Sequence, residues 1–201
     1  MSDNLPHLIV ALSMGIALAA ATGFRVFVPL LVLSLAAQGQ HPLIPLSPGF
    51  QWIASPVALV IFASATVMEI TGYYIPWVDN LLDTLATPVA TVAGIIATAA
   101  VLGDIDPALK WTLAVIAGGG VASGVQLLTV TTRAASTVTT ASVGNPIVST
   151  AEAAGSIVLS ILALFIPVIV ALVVLLLIAL LIRKVLRHRK TAPPITAPTS
   201  A

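Results

Sequence analysis

Six ionisable residues, Arg25, Glu69, Asp79, Asp83, Arg133 and Glu152, stand in or beside stretches that are otherwise apolar. A buried charge without compensation is expensive, so each needs an opposite charge, a polar cavity or an interface. Acids in such places carry protons or cations, while arginines neutralise them or bind an anionic headgroup. The densest stretch is Glu69-Ile-Thr-Gly-Tyr-Tyr-Ile-Pro76-Trp-Val-Asp79-Asn-Leu-Leu-Asp83, which holds three of the seven acids between apolar segments 56–68 and 85–102. Gly72 and Pro76 argue against one continuous helix there, because Gly is permissive and Pro lacks an N–H and clashes with the preceding turn. A helix restarting at Pro76 places Asp79 and Asp83 one turn apart, near an N-terminus that favours negative charge. The plain alternative is a solvated loop with an ordinary acidic cap. Depth in the membrane separates the two.

The elements that position these residues must be membrane helices. The chain is 59% hydrophobic and 7% charged, with a mean hydropathy of +1.13, whereas soluble domains carry roughly 25% charged residues. Its 201 residues suffice for a bundle of about four to six crossings at ~20 residues each. The absence of cysteine excludes disulfides, iron–sulfur clusters and thiolate metal sites. Five of the eight basic residues cluster in Arg183-Lys184-Val-Leu-Arg187-His-Arg189-Lys190. Directly after a long apolar helix this cluster reads as a cytoplasmic anchor, not a nucleic-acid site. The expectation is a multi-pass protein of the inner (cytoplasmic) membrane with a cytoplasmic C-terminus and an odd number of crossings, most simply five.

Taken in order, residues 8–37 form the first crossing, bent at Arg25 between Gly23 and Pro29. Residues 38–54 form an interfacial connection with Phe50 and Trp52 as headgroup-level anchors. Residues 55–68 and 84–102 form the second and third crossings, separated by the break at Pro76. Asp106-Pro107 starts the fourth, residues 111–132, in which Gly120 and Gly124 make a GxxxG pair. That pair reads as intramolecular packing, with a homo-oligomer interface as the alternative. Gly144-Asn-Pro146 marks a second break, and residues 149–182 form a long fifth helix kinked at Pro167. Residues 1–190 thus make one membrane-embedded all-α domain, and 191–201 a disordered polar tail.

The second break echoes the first. Pro76-x-Val-Asp79 is followed by Asp83, Thr87 and Thr91, and Pro146-x-Val-Ser149 by Glu152, Ser156 and Ser160. Each set advances by three or four and so draws one polar stripe along a helix. Paired Gly/Pro-interrupted segments point to a binding site built from broken, re-entrant helices and to an internal pseudo-repeat. Chance recurrence in a chain rich in small residues is the competing account. Glu69 and Asp79 or Asp83 are the candidate partners of Arg25, and Glu152 that of Arg133.

Ala21-Thr-Gly-Phe-Arg25-Val-Phe-Val-Pro29, Tyr74-Ile-Pro-Trp-Val-Asp79-Asn-Leu-Leu-Asp83-Thr, Ile116-Ala-Gly-Gly-Gly120 and Gly144-Asn-Pro-Ile-Val-Ser-Thr150 resemble a bacterial membrane-protein family catalogued as domain of unknown function 4126. The resemblance spans roughly residues 8–167. It implies a polytopic membrane protein and supplies no activity.

Two function classes fit these residues. The first is a transporter, exchanger or lipid-moving protein, whose partners are the lipid bilayer and a small ion or lipid headgroup. Its pathway residues are Arg25, Glu69, Asp79, Asp83, Arg133 and Glu152. The second is a non-catalytic structural or assembly subunit whose charges pair internally. An enzyme ranks third: HExxH, a Ser/His/Asp order and a phosphate loop are absent from the sequence. His7, His41 and His188 sit at membrane edges, so neither a metal nor a cofactor is expected.

Overall fold

Among the described residues there is no strand; the chain folds into a short 3₁₀ turn at Gln51–Ala54 and seven helices. They are α1 (Leu5–Phe24), α2 (Phe27–Ala36), α3 (Pro56–Gly72), α4 (Pro76–Val101), α5 (Pro107–Thr140), α6 (Asn145–Phe165) and α7 (Pro167–Thr191). The computed structural model describes residues 5–140 and 143–191. The expected tail beyond Thr191, and the side chains of Asp79 and Asp83, lie outside the described residues. Among the described residues, five stretches are long and apolar enough to cross a membrane: Leu5–Phe24, Thr84–Val101, Pro107–Thr140, Asn145–Phe165 and Pro167–Lys184. This is an all-α polytopic membrane protein.

The five are not the five expected from sequence. Residues 55–68 fall in α3, which at 17 residues is among the shorter apolar helices. The stretch 149–182 is two helices that meet at Ile166, whose φ of −135° and ψ of 51° leave the helical region. Val148, Ala151 and Leu159 of α6 line one cavity with Val174, Leu177 and Leu181 of α7. In a straight helix Val148 and Leu181 would stand about 50 Å apart at 1.5 Å per residue. The chain therefore doubles back at Ile166, and Pro167 opens the return helix instead of kinking a single one.

Pro29 has a similar effect at the end of α1. It lacks the N–H that would bond to the carbonyl of Arg25, and its ring crowds that same carbonyl. Helix α1 ends at Phe24 and α2 starts at Phe27. Phe27 N lies 3.1 Å from Glu69 near the end of α3, while Ser34 Oγ lies 2.6 Å from Ile53 O just before its start. Helix α2 thus runs antiparallel to α3. Past its end, Leu43 N bonds to Ala36 O and Ser47 N to Ala100 O, two residues from the Thr98 that packs on Gly15 of α1. Helix α2 therefore leads back along α1, and the bend expected at Arg25 is a reversal.

Helix α1 is the axis of the bundle. Every residue from Gly15 to Gly23 is buried, as expected of a helix apolar all round and covered on each side. A Cβ on Gly23 would sit 2.5 Å from Val125 Cβ and 2.7 Å from Ala122 O, so only glycine lets α1 lie this close to α5. Gly94 and Gly118 bring α4 and α5 together likewise, a Cβ on Gly94 falling 2.9 Å from Gly118 O. The expected packing through Gly120 and Gly124 is not observed, since a Cβ on either would meet nothing within 4 Å. Residues Ala114–Gly119 form a π turn, which inserts one extra residue and rotates the downstream part of α5 by about 100°. That turn takes the GxxxG pair off the packed face.

Helix α5 also outlasts its expected end at Thr132 and runs to Thr140. Its Ser and Thr side chains bond back into the helix: Thr131, Thr132, Thr139 and Thr140 donate to the carbonyls of Leu127, Leu128, Ala135 and Ser136 at 2.6–2.8 Å. Hydroxyls satisfied in this way tolerate apolar surroundings. Arg133 consequently lies within α5, not beyond it.

Candidate functional site

The end of α1, the start of α2, the end of α3, the last third of α5 and the first turns of α6 converge on one buried polar cluster. Arg25 is 0% exposed, Arg133 2%, Glu69 8% and Glu152 6%. Proline and glycine explain the convergence. Pro29 ends α1 beside Arg25, and the Gly144-Asn-Pro146 break starts α6 one turn before Ser149.

Glu152 is the hub. Arg133 donates to it from two nitrogens, Nε to Oε1 at 3.2 Å and Nη2 to Oε2, the forked geometry at which arginine is strongest. Arg25 Nη2 stands 3.4 Å from Glu152 Oε2. The same nitrogen donates to Ser149 O at 2.8 Å and to Ser149 Oγ at 2.5 Å. One carboxylate thus faces two guanidinium groups.

Tyr73 packs against both cations. Its ring centroid lies 4.0 Å from Arg25 Cζ and 3.6 Å from Arg133 Cζ, within reach of the ring quadrupole. Next to it, Tyr74 OH meets Thr150 Oγ1 at 2.7 Å. Through Tyr74 the first break touches the opening turns of α6. Sequence reading missed Tyr73. Its signal is an aromatic pair set between an acid and a proline-started helix.

Glu69 has a different task. Its Oε1 accepts from Val26 N at 2.7 Å and its Oε2 from Phe27 N at 3.1 Å. Those N–H groups head α2 and have no partner within the helix. A carboxylate there answers both the open donors and the positive end of the dipole. Among the described residues, the acid paired with Arg25 is Glu152 and not Glu69, which corrects the Glu69 pairing; the other candidates, Asp79 and Asp83, have side chains outside the described residues. The offered pairing of Arg133 with Glu152 is present. Asp79 and Asp83 lie on the first two turns of α4, and their side chains are outside the described residues.

The polar stripe of α6 is buried as a whole: Asn145, Ser149, Glu152, Ser156 and Ser160 all face inward. Ser156 Oγ donates to Ala21 O at 3.0 Å, tying the stripe to α1. The matching stripe on α4 is only half-buried at Thr87 and Thr91, where Thr91 Oγ1 meets Ser123 Oγ of α5 at 2.6 Å. The spare hydrogen-bonding capacity of the cluster sits on Arg25. Its Nε and Nη1 are buried without a hydrogen-bond partner, as is Thr66 Oγ1 one turn before Glu69.

Glu152 also lies in the wall of a cavity of about 770 Å³ between α1, α5, α6 and α7, with Thr129, Thr132 and Lys184 among its other polar lining. The cluster and the basic end of α7 are therefore at the same end of the bundle.

A family model described as Domain of unknown function (DUF4126) matches residues 12–187. No curated protein and no solved structure matches the chain. The matched span is most of the 201 residues, so the chain belongs to this family.

Proposed function

We propose that this member of the family is a small membrane transporter, exchanger or lipid-moving protein whose polar site is the cluster around Glu152. One observation carries the reading: Arg25 is fully buried, yet two of its nitrogens have no partner. Unmet donors on a buried guanidinium are costly, and native structures keep few without a ligand, ion or water to meet them. Arg25 is thus a cation with donors to spare, beside a carboxylate that borders a cavity.

The chemistry is an exchange at Glu152. Ionised, it occupies two donors of Arg133 and is the counter-charge of Arg25, whose Nη2 lies 3.4 Å away. A proton or cation arriving at the carboxylate cancels the charge they face and frees those donors for an anion or an anionic headgroup. Loss of the proton closes the pair again. Asp79 and Asp83, which open α4, and the Thr87–Thr91 stripe extend the path. Helix α2 spans ~15 Å at 1.5 Å per residue, half of a ~30 Å hydrocarbon layer, and with α3 it forms the re-entrant part. By the positive-inside rule, the basic end of α7 favours the cytoplasmic face of the inner membrane for this end of the bundle.

A second reading, a structural or assembly subunit, has its own support. Both described glutamates of the cluster are compensated inside the chain, one by amides and one by arginines.

Reconstitution separates the readings. Purified wild type in vesicles is expected to raise proton-coupled anion flux or lipid scrambling above protein-free vesicles, and Glu152→Gln to abolish it while remaining folded. Wild-type vesicles indistinguishable from empty ones, across ions and fluorescent lipids, would leave the structural subunit.

A further inference from the structure

The cavity beside Glu152 has a direction. At one end it reaches Leu159 and Val174, about two helical turns short of Ile166. At the other it meets Glu152, Thr132 and Lys184. The walls between are apolar, with Val125, Leu128 and Leu177 contributed by α5 and α7. Its volume of about 770 Å³ falls in the range of ligand sites, roughly 300–1,000 Å³, room for one acyl chain while the rest of a lipid stays in the bilayer.

We propose that this groove holds a single membrane lipid with an acidic headgroup, its acyl chain along α5, α6 and α7 and its phosphate at Lys184. Three features select that occupant. A soluble anion would meet charge at Lys184 but would leave the apolar length unfilled. A neutral hydrocarbon would fill the length but gain nothing at its polar end. Only an amphiphile matches both ends at once, and the charge at the mouth selects a negative one. Arg183 and Arg187 flank Lys184 on α7 and are exposed, so the positive field extends past the groove. Basic pockets between membrane helices on the cytoplasmic side suit anionic headgroups. Glu152 does not turn the field negative, because Arg25 and Arg133 stand against it. This inference rests on the reading of the bundle as a ligand-binding one and gives its ligand a class.

The test uses the full chain in detergent with phosphatidylglycerol and phosphatidylcholine of identical chains. Phosphatidylglycerol is expected to bind more tightly and to raise the melting temperature more. Lys184→Glu should reduce that preference by at least about fivefold, the worth of one basic residue near a membrane surface. Ala151→Trp fills the groove from an exposed wall position and should abolish binding of both lipids. Leu177→Trp, from the facing wall, serves if the first variant elutes aggregated. Glycerol phosphate, the headgroup without chains, should produce no shift. Equal response to both lipids, binding that survives a filled groove, or an equal shift from glycerol phosphate would each overturn the proposal. Lipid preference without flux in vesicles would remove transport and leave the lipid site. Flux of a soluble ion with no lipid preference would do the reverse.

Discussion

Two glutamates lie buried in this bundle to almost the same degree, Glu69 at 8% exposed and Glu152 at 6%, and they are stabilised by opposite means. Glu69 is held by backbone, through the first N–H groups of α2. Glu152 is held by side chains, through Arg133 and Arg25. Backbone amides at a helix start cannot rotate away, so the Glu69 contact closes one geometry and keeps it. Guanidinium groups can turn, and one of these two has donors unoccupied. The first arrangement fixes a reversal of the chain. The second can open and close around a ligand.

The largest expected effect breaks the second arrangement. Glu152→Ala leaves Arg25 and Arg133 facing one another without the acid between them. Removing one partner of a truly buried pair is destabilising by roughly 3–5 kcal/mol. Thermal melting in detergent should show a steep loss, larger than for any other single change in the cluster. A melt close to wild type would mean that water enters the cavity and hydrates both arginines.

Arg25→Ala comes next. Glu152 keeps its forked bond to Arg133, so the carboxylate is not orphaned. What is lost is the pair of hydrogen bonds that the charged guanidinium donates to Ser149, worth about 1.5–3 kcal/mol, less whatever the two unmet nitrogens cost in the wild type. The melting point should fall by less than for Glu152→Ala, while vesicle flux should vanish. Full flux from a folded Arg25→Ala protein would remove Arg25 from the path.

Glu69→Gln sharpens the comparison from the other side. The amide oxygen still accepts one N–H of α2, but its nitrogen cannot accept the other and the charge at the helix start is gone. A lost cap of this kind costs about 1 kcal/mol. Stability should drop modestly, with flux per folded molecule unchanged. Abolished flux at normal stability would place Glu69 on the path with Glu152 and dissolve the distinction between the two glutamates.

The two regions also differ in how far the sequence revealed them. The α6 stripe was readable, because Ser149, Glu152, Ser156 and Ser160 advance at helical spacing and all four are buried together. The candidate pairing of Glu152 with Arg133 needed only that two lone charges in apolar surroundings should meet. The role of Glu69 was hidden, since its partners are main-chain N–H groups, which every residue but proline has. The reversals at Arg25 and Ile166 were hidden for a related reason. A proline in an apolar run marks a fault in the helix, but its angle is set by what packs alongside. Tyr73 joins the cluster only because those reversals bring α3, α5 and α6 to one place, and side-chain type alone could not report that. The intramolecular packing expected of the GxxxG pair is absent because a π turn, written in no motif, rotated it off the packed face.

The smallest expected effect tests whether the two regions are independent at all. Glu69 holds the amides of Val26 and Phe27, and Glu152 stands against the guanidinium of Arg25, the residue next along the chain. Changes at separate sites add within about 0.3–0.5 kcal/mol, and coupled ones depart from additivity by more. The melting free energies of Glu69→Gln, Glu152→Gln and the double variant should therefore show a coupling of about 0.5–1 kcal/mol. The sign should be such that the double variant loses less than the sum. Once the start of α2 is loosened, Arg25 can withdraw from Glu152 and no longer needs its acid. Tyr73 strengthens the link, since it lies one turn after Glu69 and its ring lies against both arginines. Strict additivity would mean that the reversal at Arg25 insulates the closed glutamate from the open one, so that Glu152 can change its charge without disturbing the frame that Glu69 secures.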